Sequence, residues 1–503
     1  MTEPLDVLVV GAGPTGLALA AQLRSYGVTF RIIDRSLDLA HESRALAIQP
    51  RTLEALAGLG FADELVARGN QAVQLRMHLP RRVLSLPLFD IGCDDTPYPF
   101  LLFLSQAETE DVLGGQRAER GTELVKLSAE DDGVVCVVRR GDSTEEQVRA
   151  RYVVGCDGAH STVRAEAGIA FEGRAYPQTF LLADLEVDGL EAGAAHAYLT
   201  AVGMLFFFPL GSPASWRMLA IRPPDAPDGD VDLGQLQEIT DRYVGEGLRL
   251  RDPVWMTVFR LHNRGAARYR SGRVFLAGDA AHIHSPAGAQ GMNTGIQDAL
   301  NLGWKLAAVC RGNGTEELLD TYEAERAPVG RTVLRFTDRA FTIGTSRNPV
   351  IRLARNRLAP LLAPLALRST RLRGAAFRTL SELAIHYRRS PASVAGPHAP
   401  RRGRPRAGDR LPDLPRGLQG YTAIPGWHLL LAGQDVVWPE RSLDVVTRGR
   451  AGLLTVHWLG SEGPWPGGPV HGLVRPDGYF GYVAGGTDLE ELCVYLDRWL
   501  PTE

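Results

Sequence analysis

The sequence predicts an α/β protein whose parallel sheet is interrupted by a β-rich insert and followed by a smaller C-terminal unit. Three observations carry that expectation. A complete strand–helix–strand unit occupies the first 34 residues, a second strand–loop–helix follows near 274–309, and short apolar runs lie between and after them. A chain of 503 residues has room for roughly two to four domains.

The first unit reads "LDVLVVGAGPTGLALAAQLRSYGVTFRIIDR". Leu5 to Val10 is an apolar run of the kind that forms a buried parallel strand. Gly11, Gly13 and Gly16 then give G-x-G-x-x-G, enclosing Pro14 and Thr15. Leu17 to Tyr26 has helical composition, and Gly27 is a natural stop. Thr29 to Ile33 is a second strand, ending at Asp34-Arg35. The first glycine makes the tight turn. The second admits a pyrophosphate close to the backbone, and the third lets helix and strand pack. The helix N-terminus offers free N–H groups to the phosphates. Asp34, about 20 residues on, is placed to accept hydrogen bonds from ribose hydroxyls. The unit therefore predicts dinucleotide binding, without separating FAD from NAD.

The second stretch is "GRVFLAGDAAHIHSPAGAQGMNTGIQDALNLGWK". Val274 to Ala277 is a short strand, and Gly278-Asp279 sits at its C-terminal end, where ligands bind in open α/β sheets. Ser285 to Gly291 reads as irregular, and a helix is expected from Met292. Three ligands come into question. His282 and His284 lack a third ligand nearby, so no metal site is expected. A polyphosphate would find no lysine or arginine between Arg273 and Lys305. An uncharged ring that becomes negative during reaction would be stabilised by the free amides of a helix N-terminus, and a reduced isoalloxazine has that character.

Three motifs now carry a resemblance. They are Gly11–Gly16, "GCDGAHSTVR" at Gly155–Arg164, and Gly278–Ala307. The chain resembles the group A FAD-dependent aromatic hydroxylases, closest to the branch of phenol-type and aromatic-polyketide hydroxylases. The likeness continues through "YEAERAPVG", "SELAIHYRRSP", "AGDRLPD" and "LVRPDGYFGYV", nearly the whole chain. It departs at Ala289, where that branch usually has a second consecutive glycine; little effect is expected.

The resemblance implies roles. Asp279 would bind the ribityl or pyrophosphate part of non-covalent FAD. Gly288, Ala289, Gly291, Met292 and Asn293 would face the flavin, the last three through their amides. Arg44 would contact the cofactor, and Gln106 would touch the ribityl region. Asp157 and Gly158 would serve both FAD and nicotinamide. Asp157 has a second reading as a turn cap, and Gln106 as a cap of the following helix.

The resemblance also implies an interrupted Rossmann-like FAD-binding domain at 1–70, 99–176 and 267–394. A β-rich substrate domain would occupy 71–98 and 177–266, and a thioredoxin-like domain 395–503. The substrate strands include "LLADLEV", "GMLFFFPL" and "RMLAIR". Alternation puts Met204, Phe206 and Phe208 on one face, a candidate pocket wall with Pro286 nearby and no obvious charged anchor. From Pro349 to Arg406 there are thirteen arginines and one acid, Glu382, expected as a solvated helical face. "AGPHAPRRGRPRAGDRLPDLP" reads as a linker, and "WHLLLAG", "LLTVHWL" and "GYFGYVA" as strands. The last segment has one thiol, Cys493, so it should be redox-inert.

The implied reaction uses NADPH or NADH to reduce FAD. O₂ then gives a C4a-hydroperoxyflavin, which hydroxylates a phenolic or polycyclic aromatic ring. No catalytic side chain is assigned, and no second fingerprint for the nicotinamide is visible. The rival expectations are Baeyer–Villiger oxygenation of a polyketide ketone, a flavin reductase or dehydrogenase, and a non-catalytic FAD-binding partner protein.

Composition sets the outer bounds. The chain is 45% hydrophobic and 22% charged with net charge -3, normal for a globular enzyme and no footprint for nucleic acid. Lys126 and Lys305 are its only lysines, which points to a GC-rich codon bias. The five cysteines, Cys93, Cys136, Cys156, Cys310 and Cys493, form no CxxC pair. The N-terminus lacks a basic n-region, and no apolar run reaches the ~18 residues of a membrane span. A cytoplasmic location is expected.

Overall fold

The strand Leu5–Val10 lies inside a sheet, with a parallel neighbour on each side. It pairs in parallel with Phe30–Ile33 on one side and Glu145–Gly155 on the other, and Val274–Leu276 adds in parallel beyond. A computed structural model describes residues 5–38, 45–71, 73–79, 82–87, 93–200, 203–211, 214–223, 225–226, 229–284, 288–345, 348, 350, 369–400, 405–434, 436–465 and 467–501. The antiparallel strands Thr122–Ala129 and Val134–Arg140 extend the first half of Glu145–Gly155, and Arg270–Ser271 closes the other edge. The four parallel strands end together, so Gly11, Asp34, Asp157 and Asp279 all follow the same edge of the sheet.

Two helices lie side by side on this sheet. The first runs Pro14–Ser25, and the central helix runs Gly291–Cys310. Both start earlier than composition suggests, the first at Pro14 and not Leu17, the second at Gly291 and not Met292. Their close approach depends on glycine. A Cβ at Gly295 would lie 2.4 Å from Thr15 Oγ1, and one at Gly303 would lie 2.3 Å from Gln22 Oε1. The long helix Glu317–Thr345 follows, with Pro328 inside it.

A second sheet of eight strands stands beside the first. Its order is His282–Ile283, Arg249–Ala266, Phe171–Asp188, Trp216–Ile221, Met204–Pro209, Ala194–Leu199, Gln74–Leu79, Arg82–Pro87. The strand Phe171–Asp188 runs unbroken across residues 176 and 177, and His282–Ile283 joins from far downstream. The two sheets are thus stitched together by shared chain, more continuously than segment boundaries suggest. Helix Leu233–Val244 begins with a capping box between Asp232 and Gln235. It packs Leu236, Ile239 and Tyr243 on the face carrying Leu205, Phe207 and Met218.

The third sheet has the order Val394–Ala395, Phe480–Gly485, Val470–Val474, Trp427–Ala432, Leu454–Gly460, with helices Glu440–Thr447 and Glu490–Trp499. Val470–Val474 is a strand that the sequence pattern did not single out. The core of this unit takes in Trp304 and Leu318 from the helices of the first. Much of the arginine-rich stretch lies outside the described residues. Within them, Arg378 pairs with Asp95 and Arg388 with Asp409, and the single acid, Glu382, is buried and not solvated.

Candidate functional site

The edge where the four parallel strands end is built from backbone. Gly11 has φ +102°, and a Cβ there would sit 2.3 Å from the Cys156 carbonyl oxygen. A Cβ at Gly16 would meet the Gly11 carbonyl oxygen at 1.9 Å, whereas one at Gly13 would meet nothing within 4 Å. Two glycines are therefore needed for packing and the middle one faces open space. Gly13 N-caps the first helix without a side-chain cap, and Pro14 follows it. That is a cradle a pyrophosphate fits.

Asp34 accepts a hydrogen bond from Ala12 N at 2.6 Å and another from Ser36 N at 2.8 Å, so it braces the glycine loop. Arg35 beside it is exposed. Thr15 fills the gap between Gly278 and Gly295, a packing role. Asp279 is exposed in the 3₁₀ turn Gly278–Ala280, at the end of its strand. Asp157 accepts from Ser161 Oγ and from Val163 N, and Ser161 is the N-cap of the helix Thr162–Glu166. Burial raises the Asp157 pKa, opposed by those hydrogen bonds. Gly158 beside it has φ +77°. Ser105, not Gln106, caps the helix Gln106–Val112; Gln106 Nε2 donates to buried Glu110 at 2.8 Å.

The N-terminus of the central helix is the second half of the site. Gly288 and Ala289 both have positive φ, +86° and +52°, so Ala289 carries a Cβ in the left-handed region. Gln290 N-caps the helix with no side-chain cap. Among the described residues, the amides of Gly291, Met292 and Asn293 find no acceptor. The Asn293 side chain is fully engaged: Oδ1 accepts from Gln49 N, and Nδ2 donates to the carbonyls of Ala47 and Ala289, each at 2.8 Å. Gln49 Nε2 adds a bond to the Gly288 carbonyl at 2.9 Å. Sequence reading missed this clamp, since Gln49 and Asn293 are brought together only by the fold.

Beneath the loop, His282 Nε2 lies 2.6 Å from Asp298 Oδ2, and Arg326 Nε donates to Asp298 Oδ1 at 2.6 Å. Burial alone would raise the Asp298 pKa; Arg326 and His282 outweigh it and hold it low. His282 is thus a structural partner of Asp298. Among the described residues no three His, Cys, Asp or Glu side chains converge on a metal position. Arg44 and Pro286 lie outside the described residues.

The eight-stranded sheet supplies the wall. Met204, Phe206 and Phe208 share one half-buried face, with Phe206 and Phe208 stacked at 5.7 Å. Register places Leu219 opposite Phe206 and, one strand on, Phe259 opposite Phe180. Phe208 and Ala289 pack against one shared cluster that includes Phe103 and Leu101, so this face abuts the loop of the central helix. One expectation needs correction here. The face does contain charge: Arg217, opposite Phe208, forms a buried bidentate pair with Asp184 at 2.7 and 2.6 Å. Arg217 Nη1 also donates to the Ala45 carbonyl at 3.1 Å. Asp184 neutralises the guanidinium, and the neighbouring positions Phe206, Leu219 and Phe180 on this face are apolar.

The glycine cradle and Asp279 follow one edge of the parallel sheet, and the apolar wall meets the Ala289 loop at the start of the central helix. A family model described as an FAD binding domain matches residues 4–337. The chain is 38% identical to the 6-methylpretetramide 4-monooxygenase of Streptomyces rimosus, over 96% of this chain and 92% of that protein. Among solved structures, the OxyS anhydrotetracycline hydroxylase of Streptomyces rimosus superposes with a TM-score of 0.78 at 30% identity, covering 99% of each chain. Aklavinone-11 hydroxylase, in a ternary complex with FAD and aklavinone, gives 0.80 at 26% identity and the same coverage. The chain belongs to the FAD-dependent aromatic hydroxylases, a family of flavoprotein monooxygenases.

Proposed function

We propose that this monooxygenase hydroxylates a polycyclic phenolic ring of polyketide type, using NADPH or NADH and O₂. The observation that carries this reading is the apolar, ring-lined face of Met204, Phe206 and Phe208 set against the Ala289 loop. A flat, largely neutral molecule fits between that wall and the central helix better than a small charged one. The relatives' own names point the same way, to tetracycline-type substrates in their case.

Bound FAD, reduced by the nicotinamide, supplies the activated oxygen. The chain's residues do the rest. Gly11, Gly13, Pro14 and Gly16 receive the pyrophosphate, and Asp34 and Arg35 border the adenosine side. Asp279, Gln106, Asp157 and Gly158 line the middle of the cofactor, with Thr15 packed beneath. Gly288, Ala289, Gly291, Met292 and Asn293 take the flavin pyrimidine; for Arg44 the cofactor contact rests on the resemblance alone. The wall excludes water from the reacting ring.

The C-terminal unit supports a thioredoxin-like reading. Trp427–Ala432 and Leu454–Gly460 are parallel, and Val470–Val474 and Phe480–Gly485 add antiparallel in the order that fold uses. With Cys493 as its lone thiol the unit is redox-inert. The five cysteines are unpaired, which suits a reducing cytoplasm. Among the described residues no helix is long and apolar enough to cross a membrane.

Turnover under ¹⁸O₂ with mass analysis tests the reading. A phenolic product carrying one ¹⁸O atom is expected. Oxygen taken from H₂¹⁸O, or oxidation without oxygen gain, overturns it. One ¹⁸O in a ring-expanded ester assigns Baeyer–Villiger chemistry instead.

A further inference from the structure

Glu382 combines three features that the FAD site as described leaves unused. Its backbone has φ +62°, a region where a side chain carries strain. The residue is 2% exposed. Its carboxyl reaches across from the turn after helix Thr370–Leu380 to the start of the central helix. Thr294 Oγ1 donates to Oε1 at 3.0 Å, and Gln297 Nε2 donates to Oε2. Thr294 and Gln297 are the fourth and seventh residues of that helix, just behind the unpaired amides of Gly291–Asn293.

The charges around Glu382 do not neutralise it. Arg326, from the long helix, is the cation that faces it, and Arg326 is already committed. Its Nε donates to Asp298, its Nη1 to the Tyr387 hydroxyl at 2.9 Å and its Nη2 to the Thr294 carbonyl at 3.1 Å. Asp298, on the central helix, is a second acid in the same cluster and is balanced by that guanidinium. Thr52, from helix Pro50–Ala57, contributes only a hydroxyl, which accepts from Gln297 Nε2 at 3.2 Å. Arg326 therefore serves two carboxylates, and His282 is a second partner of Asp298 only. Burial pushes the Glu382 pKa up to about 7, against the pull of Arg326.

The cradle accommodates both charge states. Gln297 Oε1 is buried and has no partner among the described residues. Turning that amide by half a revolution would present the oxygen to a protonated Glu382 and let it accept a hydrogen bond from the carboxyl O–H.

We propose that Glu382 is a positioning residue whose charge sets how strongly the N-terminal end of the central helix stabilises negative charge on the bound flavin. The helix end is positive, and among the described residues its first three amides find no acceptor. A neutral Glu382 leaves that field whole. An ionised Glu382, sited within the first two turns in a water-poor environment, cancels part of it. The reduced, anionic flavin then becomes harder to form as pH rises through neutrality. The site couples proton concentration to flavin potential without any proton reaching the substrate. This inference rests on the FAD reading above.

The experiment is a spectroscopic measurement of the midpoint potential of bound FAD from pH 5.5 to 8.5, on the full chain loaded with FAD. The wild type should show an extra fall in potential centred near pH 7. In Glu382→Gln that step should be lost, with the potential matching wild type at acid pH and lying above it at alkaline pH. Glu382→Asp should restore a step. Should Glu382→Gln not fold, Glu382→Gly, which suits the left-handed backbone, should likewise lack the step. Parallel curves for wild type and the neutral variants overturn this proposal alone. A wild-type chain that takes up no FAD overturns both readings.

Discussion

The role proposed for Asp279 predicts that its removal separates binding from folding. The residue is exposed on a turn that the neighbouring backbone already holds. Asp279→Ala should weaken FAD binding by roughly ten- to a hundredfold, the worth of one hydrogen bond to a charged group at about 1.5–3 kcal/mol. The chain without FAD should unfold within about 0.5 kcal/mol of wild type. Fluorescence titration with FAD and a denaturant melt measure the two; unchanged affinity would mean the turn does not face the cofactor. At this scale the sequence was legible where a residue acts through its own backbone. Gly11 and Gly16 are such cases, because the turn itself demands them. It was opaque where a side chain acts on a distant partner. Asn293 clamps Gln49 across 244 positions, and Glu382 meets Thr294 across 88. The Asp184–Arg217 pair was equally hidden, since neither residue stands out in its strand.

At the scale of elements, the first helix and the central helix meet at van der Waals distance, and that contact holds the two halves of the FAD site in register. Gly295→Ala puts a methyl where Thr15 Oγ1 would lie 2.4 Å away and Gly278 Cα 3.1 Å away. Overpacking of this kind costs about 1–3 kcal/mol. The variant should therefore melt earlier and purify with less FAD, read by the flavin absorbance per chain; a normal flavin content would show that the helices can separate without loss. The strands were legible because buried parallel strands are unbroken apolar runs, as in Leu5–Val10. The helix starts were not. Both Gly13 and Gln290 lack a capping side chain, so the usual sequence mark of a helix N-terminus is missing. The missing caps leave amides free, which is what a cofactor site requires.

For the molecule as a whole, the third unit is bound to the first by buried charge. Lys305 Nζ lies 2.8 Å from Glu325 Oε2, and Arg475 reaches the same carboxylate at 2.6 and 2.8 Å. Ser390 Oγ donates to Glu325 Oε1 at 2.6 Å, and Arg475 pairs with Asp477. Burial lowers the Lys305 pKa to about 8, with Glu325 acting against it. One of the chain's two lysines thus sits in the interface, a placement that composition could not reveal. Glu325→Gln would leave Lys305 and Arg475 short of their shared counter-charge. A loss of about 3–5 kcal/mol is expected for breaking a buried pair. Calorimetry should then resolve the single unfolding transition into two, with the third unit released first; one unshifted transition would show that packing around Trp304 suffices.

The eight-stranded sheet has a further consequence for anyone wishing to redirect this catalyst. Its ring-lined side and the side covered by helix Leu233–Val244 are separate surfaces of the same strands. Met204, Phe206, Leu219 and Phe259 can be varied together in a library without cutting into the layer under that helix, whereas Phe208 shares a cluster with the Ala289 loop and should be kept. On the proposed reading the scaffold separates the tool from its handle: reshaping one wall changes the rings admitted and leaves the segments assigned to the cofactor as they are.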